Sequence, residues 1–205
     1  MAELTTRFAT PDDADAITEL WVQSWLDTYI APEHGVTADY VAGLMTRRSS
    51  AQGREALRSA IARGHDSRQA FFVAEADGRI VGIAGPRVTD EGVQRVGALY
   101  AERAWHGRGV GAALMIRVLA WRDPSLPLFL EVAPYNGRAR AFYRKWGFVD
   151  VPGSESHNGQ IPTIMMVLEP GQRPLPPLRA RRKARRRRFR LGLAPRSRHG
   201  RDPAG

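Results

Sequence analysis

The chain has 205 residues, no cysteine and a formal net charge of +10, which excludes disulfides, thiolate metal sites and a cysteine nucleophile. No 18 apolar residues run together and no basic-then-apolar leader opens the chain, so the expectation is a cytoplasmic protein without a membrane span. The charge is uneven: residues 171–205 hold 13 Lys and Arg and one acid, whereas residues 1–170 hold 18 bases and 20 acids. A nearly neutral body therefore carries a basic tail, and its hydrophobic content of 43% is ordinary for a domain with a packed core.

Taken in chain order, residues 4–8 read as a strand. Thr10 as N-cap, Pro11 at the first helical position and Asp12-Asp13 in the first turn then start a helix. Its apolar face runs through Ile17, Leu20, Trp21, Ser24, Trp25 and Thr28. Residues 29–35 form a loop, Thr37 caps a second helix to about Met45, and a third helix covers residues 54–62. Residues 70–76 and 79–84 are strands joined by an Asp77-Gly78 hairpin turn. Residues 93–101 form the next strand, with Gly97 as a bulge candidate. A helix over residues 109–121 stops before Asp123-Pro124. A strand follows at residues 126–132, then a helix at residues 136–146 closed by Gly147 as a left-handed cap. Two last strands, residues 148–151 and 161–168, are joined by a polar loop at residues 153–160. This order predicts an α+β domain built on one central sheet.

The densest chemical signal is His106-Gly107-Arg108-Gly109-Val110-Gly111, between a strand and a helix. Three glycines on alternate positions permit positive φ and let a ligand lie against the backbone. The unpaired N–H groups and the positive dipole end of the following helix converge there, which makes an anion site suited to phosphate. Gly107, Gly109 and Ala112 also fit G-x-G-x-x-A, with Glu131 downstream. The five residues between strand end and first glycine, and the short remainder of the chain, argue against a dinucleotide fold.

With these elements in place, the chain resembles the GNAT superfamily of acyl-CoA N-acyltransferases over about residues 4–169. Two segments carry the resemblance. One is the loop at residues 106–111, where the family has Gln or Arg and this chain has His106. The other is Asn136, Ala139, Ala141, Phe142, Tyr143, Gly147 and Phe148, close to the family's Asn…Ala…Phe-Tyr…Gly-Phe pattern. The resemblance implies the GNAT fold, a mixed and mostly antiparallel sheet flanked by helices. It also implies acetyl-CoA as co-substrate and transfer of its acetyl group to a primary amine. The diphosphate would lie on His106, Gly107, Arg108, Gly109, Val110, Gly111 and Ala112. The pantetheine arm would run along Leu99, Tyr100 and Ala101, with Asn136 both capping its helix and contacting coenzyme A. Because backbone N–H groups supply most of the grip, His106 is tolerated, with the loss of one side-chain contact.

Tyr143 is the general-acid candidate, since a phenol protonates a departing thiolate without ionising at rest. Glu131 is the base candidate, the one charge in an apolar strand. Ribosomal-protein alanine N-acetyltransferases carry a Glu twelve residues before the Tyr, the spacing found here. A solvent-side Glu131 in a structural ion pair is the competing reading, with Glu102 or water then as the base. Trp25 and Tyr29 fall where the family places its acceptor groove. His34 and His65 lack partner spacing, so no metal site is expected.

The expected division is a transferase domain at residues 1–170 and a Pro/Arg-rich tail at residues 171–205, unable to bury a core. The tail is either idle or an electrostatic contact for RNA, DNA or an anionic membrane. A CoA-binding module without turnover and a nucleic-acid-binding protein are the rival functions. The acceptor stays open among a protein N-terminus, a lysine and a small amine, as does assembly into a homodimer.

Overall fold

Asp77 and Gly78 both take positive φ (51° and 72°), the backbone that a tight two-residue hairpin demands. That turn joins two strands of a sheet whose other elements form by similarly local rules. The computed structural model describes residues 3–66 and 68–172. In chain order these are β1 (Thr5–Phe8), α1 (Ala14–Tyr29), α2 (Ala38–Ser49), α3 (Ala51–Ala62), β2 (Phe72–Ala76), β3 (Arg79–Val88) and β4 (Gln94–Ala101). They continue with α4 (Val110–Trp121), β5 (Leu128–Val132), α5 (Gly137–Lys145), β6 (Val149–Asp150), β7 (Ser156–Asn158) and β8 (Ile161–Leu168).

The sheet order is β1-β2-β3-β4-β5-β8-β6, with β7 paired to β8. Every pair is antiparallel except β4 with β5. This is the mixed, mostly antiparallel sheet flanked by helices that the resemblance implies. Side-chain alternation along β2 gives each face its own core. Phe72, Ala74 and Ala76 join Val110, Leu114, Met115, Trp146 and Phe148 under α4 and α5. Phe71 and Val73 join Ile17, Leu57, Ile61 and Ile83 under α1 and α3.

Several boundaries differ from the sequence reading, each for a local reason. The helix expected at residue 54 starts at Ala51, because the Ser50 hydroxyl accepts from the Gly53 N–H at 3.1 Å and caps it there. Pro11–Asp13 form a separate 3₁₀ turn before α1, closed by the Thr10 N–H donating to Asp13 Oδ2 at 2.7 Å. β3 runs on to Val88 through Pro86. The polar loop at residues 153–160 contains β7, held by pairing to β8. From residue 173 the expected tail lies outside the described residues.

Two features shape the middle of the sheet. Ala84 pairs with Leu99 and Pro86 with Val96, so Gly97 and Ala98 together oppose the single Gly85. The bulge thus sits at Gly97, where a Cβ would stand 3.1 Å from the Gly85 carbonyl oxygen. The parallel pairing of β4 with β5 is confined to Gln94↔Leu128 and Arg95↔Phe129. Beyond those two residues the strands separate, although β4 continues to Ala101 and β5 to Val132. At the closed end the Gln94 side chain donates to the Asp123 carbonyl (3.0 Å) and accepts from the Asp123 N–H (2.7 Å).

Candidate active site

The gap between the separated strands is the candidate site. It contains two adjoining cavities. One, of ≈ 100 Å³, is lined by residues 96–101 of β4 with His106, Glu131, Asn136 and Tyr143. The other, of ≈ 170 Å³, is lined by Trp25, Tyr29, Arg87, Arg95, Glu131 and Asn158 among others. Glu131, Tyr29 and Tyr100 belong to both walls.

Next to His106, which lines the smaller cavity, the glycine loop turns into α4. Gly107 (φ 75°) and Gly109 (φ 93°) are left-handed, and Gly109 occupies the N-cap with no side-chain hydrogen bond. The Arg108 N–H is taken by the Trp105 carbonyl at 3.2 Å, and the helical ladder begins with Ala113 donating to Gly109 at 2.9 Å. Among the described residues, the N–H groups of Gly107, Gly109, Val110, Gly111 and Ala112 donate to nothing. Five free donors at the positive end of a twelve-residue helix make an anion cradle. The donors flank Arg108, whose own amide is spent on the turn. A Cβ on Gly111 would touch the Phe142 ring at 3.4 Å, so α4 and α5 approach closely there. The Val110 side chain is buried in the core.

His106 does something the sequence did not reveal. Its Nε2–H donates to the Ala101 carbonyl at 3.0 Å, and its Nδ1 accepts from the Arg138 guanidinium. Those contacts require the neutral ring, and burial, reinforced by the Arg138 charge, pushes its pKa below the ordinary histidine value. His106 therefore ties the end of β4 to the first turn of α5. Asn136 caps that turn, with its Oδ1 accepting from the Ala139 N–H at 3.0 Å.

Tyr143 reaches the same cavity from α5 and is 8% exposed. Edge-to-face contacts with Phe142 (5.4 Å) and Phe148 (5.7 Å) hold its ring. Gly147 takes φ 88°, and the Phe148 and Gly147 N–H groups return to the Tyr143 and Arg144 carbonyls. This Schellman closure fixes the Tyr143 backbone. Burial, with the neighbouring Tyr29, pushes its phenol well above the usual range, so it stays protonated.

Glu131 is the outward residue of a strand whose Leu128, Leu130 and Val132 are buried. It faces the gap and accepts from Arg95 across it at 2.9 Å. The ion pair of the competing reading is present, and the same carboxylate lines both cavities. Glu102 is separate: it lines a cavity between α1 and β3, near Arg79 at 3.6 Å. Trp25 and Tyr29 line the larger cavity together, their rings 4.6 Å apart. The Tyr29 and Tyr100 hydroxyls lie 3.4 Å apart, and burial pushes the Tyr100 phenol well up. Sequence reasoning missed Arg87, Arg95, Arg138 and Asn158, since no local pattern marks them.

The comparisons agree with this architecture. The acetyltransferase (GNAT) domain family matches residues 37–170. An uncharacterized N-acetyltransferase of Mycobacterium bovis is 38% identical over 121 residues, 58% of this chain and 70% of that protein. The PaiA N-acetyltransferase of Thermoplasma acidophilum, solved in complex with coenzyme A, superposes with a TM-score of 0.64 at 20% identity, covering 82% of this chain and 99% of that one. YncA of Salmonella typhimurium, solved with its cofactor acetyl-CoA, gives a TM-score of 0.56 at 20% identity, covering 86% and 99%. With a glycine-loop anion cradle beside a split sheet and a family match over residues 37–170, this chain belongs to the GNAT family of acetyltransferases.

Proposed function

We propose that the protein transfers the acetyl group of acetyl-CoA directly to a primary amine, the two substrates meeting between the separated halves of β4 and β5. The observation that carries this reading is the set of five free N–H groups at the start of α4. They follow directly on His106, which lines the cavity that holds Tyr143. A diphosphate suits that cradle, because fixed donors and a helix dipole need no reorganisation on binding. From there the pantetheine arm runs along Leu99, Tyr100 and Ala101, whose edge β5 leaves uncovered, past Asn136. The neighbours solved with coenzyme A or acetyl-CoA share this fold.

The amine enters from the larger cavity, past Trp25 and Tyr29. Its nitrogen lone pair attacks the thioester carbonyl, the tetrahedral adduct collapses, and the C–S bond breaks. Tyr143 gives its phenolic proton to the departing thiolate, a role that suits a buried and protonated hydroxyl. Glu131, oriented by Arg95, takes the proton lost by the amine, directly or through water. Alignment of the two reactants supplies most of the acceleration, as no covalent enzyme intermediate is needed. Residues 1–170 form the transferase domain in this reading, and residues 171–205 are an appendage dispensable for acetyl-CoA binding.

The test is calorimetry with acetyl-CoA, followed by thiol release across a panel of amines that includes peptides with free N-termini. Binding followed by amine-dependent release supports the reading. Binding with no release from any amine indicates a sensor, and no heat from acetyl-CoA rejects both.

A further inference from the structure

The larger cavity continues on its outer side into a groove of ≈ 550 Å³ between α1, α2, α3 and the β3–β4 bulge, with Trp25, Arg87 and Gly97 common to both. The groove has an unusual chemistry. Its apolar walls include Trp21, Leu44, Met45 and Phe71, and among the described residues its only charged side chains are Arg47, Arg48 and Arg87. Among the described residues no Asp or Glu lines it. Among the described residues none of these three arginines has a carboxylate partner. Arg48 lies half-buried, its guanidinium 3.7 Å from the Trp21 ring centroid. Desolvation there lowers its pKa, the signature of a charge taken from water without a counter-ion.

The other side of α1 is the reverse. The cavity it forms with β3 is lined by Asp12, Asp13, Glu19, Asp27, Glu75 and Glu102 against two arginines. Residues 1–170 carry slightly more acids than bases. Three uncompensated arginines in one groove are therefore a local reversal of the domain's charge. The reversal faces the acceptor's route, away from the glycine loop that would hold the donor's phosphates.

We propose that the acetyl acceptor is an amine whose apolar or aromatic body carries an anionic group, and that Arg47, Arg48 and Arg87 select it by binding that anion in this groove. The inference rests on the acetyl-transfer reading above and names its substrate class. The amine points inward between Trp25 and Tyr29 toward Glu131, while the body lies on Trp21 and Phe71. Guanidinium groups suit either a carboxylate or a phosphate, each through paired N–H donors. Neutral amines of the same shape leave the groove's charges unmatched and bind less well.

The experiment compares three aryl ethylamines with the full-length protein and acetyl-CoA: 4-(2-aminoethyl)benzoate, O-phosphotyramine and the neutral 4-(2-aminoethyl)benzamide. Binding of each amine to the CoA-saturated protein is measured by calorimetry alongside kcat and KM. The expected result is a kcat/KM at least about tenfold higher for one or both anionic amines, carried by KM, as charge-assisted contacts of this kind allow. The carboxylate and phosphate arms then identify which anion the groove takes. The preference falls to near unity in Arg48→Gln/Arg87→Gln, with acetyl-CoA affinity unchanged. The exposed Arg47→Glu, which leaves the core untouched, shifts the preference toward the neutral amide or a dicationic amine.

Equal use of the three amines overturns the inference and leaves acetyl transfer standing. So does a preference that survives both variants, or an arginine effect confined to acetyl-CoA affinity. Failure of any amine to bind or react, while acetyl-CoA binds, also overturns it. Absence of heat from acetyl-CoA removes the underlying reading as well.

Discussion

Tyr143 is where residue-scale chemistry is most exposed to test. Tyr143→Phe keeps the ring and its edge-to-face contacts and removes only the hydroxyl. Turnover should fall roughly 10²-fold or more, the usual worth of a general acid, with acetyl-CoA affinity nearly unchanged. Steady-state kinetics beside calorimetry decides this, and unchanged turnover removes Tyr143 from the mechanism. His106 makes a different prediction. Its folded pKa lies below that of the unfolded chain, so unfolding takes up a proton as the solution is acidified. The neutral-ring contacts are therefore intact above about pH 6.5, the ordinary histidine value, and are lost as pH falls toward the depressed folded value. Urea midpoints should drop across that window, and His106→Gln should flatten the drop.

The same scale shows how much of the site the sequence disclosed. Gly107, Gly109, Asn136 and Gly147 were legible because each acts on backbone within a few residues of itself. Tyr143 was legible only through the pattern around it. The partners of Glu131 and His106 were not, because Arg95 and Arg138 lie 36 and 32 positions away. The Tyr29–Tyr100 contact spans 71 positions. Such pairs are products of sheet register and helix placement, which one-dimensional spacing does not encode.

At the scale of elements, the start of α4 and its seat on β3 are the sensitive points. Gly109→Ala forces an L side chain into φ 93°, which costs about 1–2 kcal/mol and tilts the free N–H groups. Lower urea stability together with weaker acetyl-CoA binding is the expected pair of outcomes. Gly82 faces α4 so closely that an added Cβ would stand 2.4 Å from Val110 Cγ1 and 3.0 Å from Leu114 Cδ1. Gly82→Ala should therefore lower stability by about 1–3 kcal/mol through overpacking, read from the shift of the urea midpoint. The elements themselves were mostly visible in the periodicity. Their ends moved where a cap lay outside the apolar pattern, as Ser50 does before α3, and where tertiary pairing recruited a polar stretch, as in β7.

For the whole molecule, charge divides the labour. The described residues set acids and arginines on opposite sides of α1, and the chain's surplus of bases lies after residue 170. Among the described residues no helix is long and apolar enough to cross a membrane. A chain truncated after Gly171 should bind acetyl-CoA as the full chain does, while any retention on immobilised RNA at low salt should vanish with the tail. A large loss of acetyl-CoA affinity on truncation would contradict the domain division proposed above.

Gln94 gives the split sheet a mechanical character. With only two residues of β4 paired to β5, its amide acts as the pivot of a pair of tongs whose jaws are Leu99–Ala101 and Leu130–Val132. A guest that spreads the jaws should load this pivot. Deuterium uptake at the Asp123 amide, whose N–H is held by Gln94, should then change when acetyl-CoA enters, and uptake unaltered by the ligand would contradict the pivot.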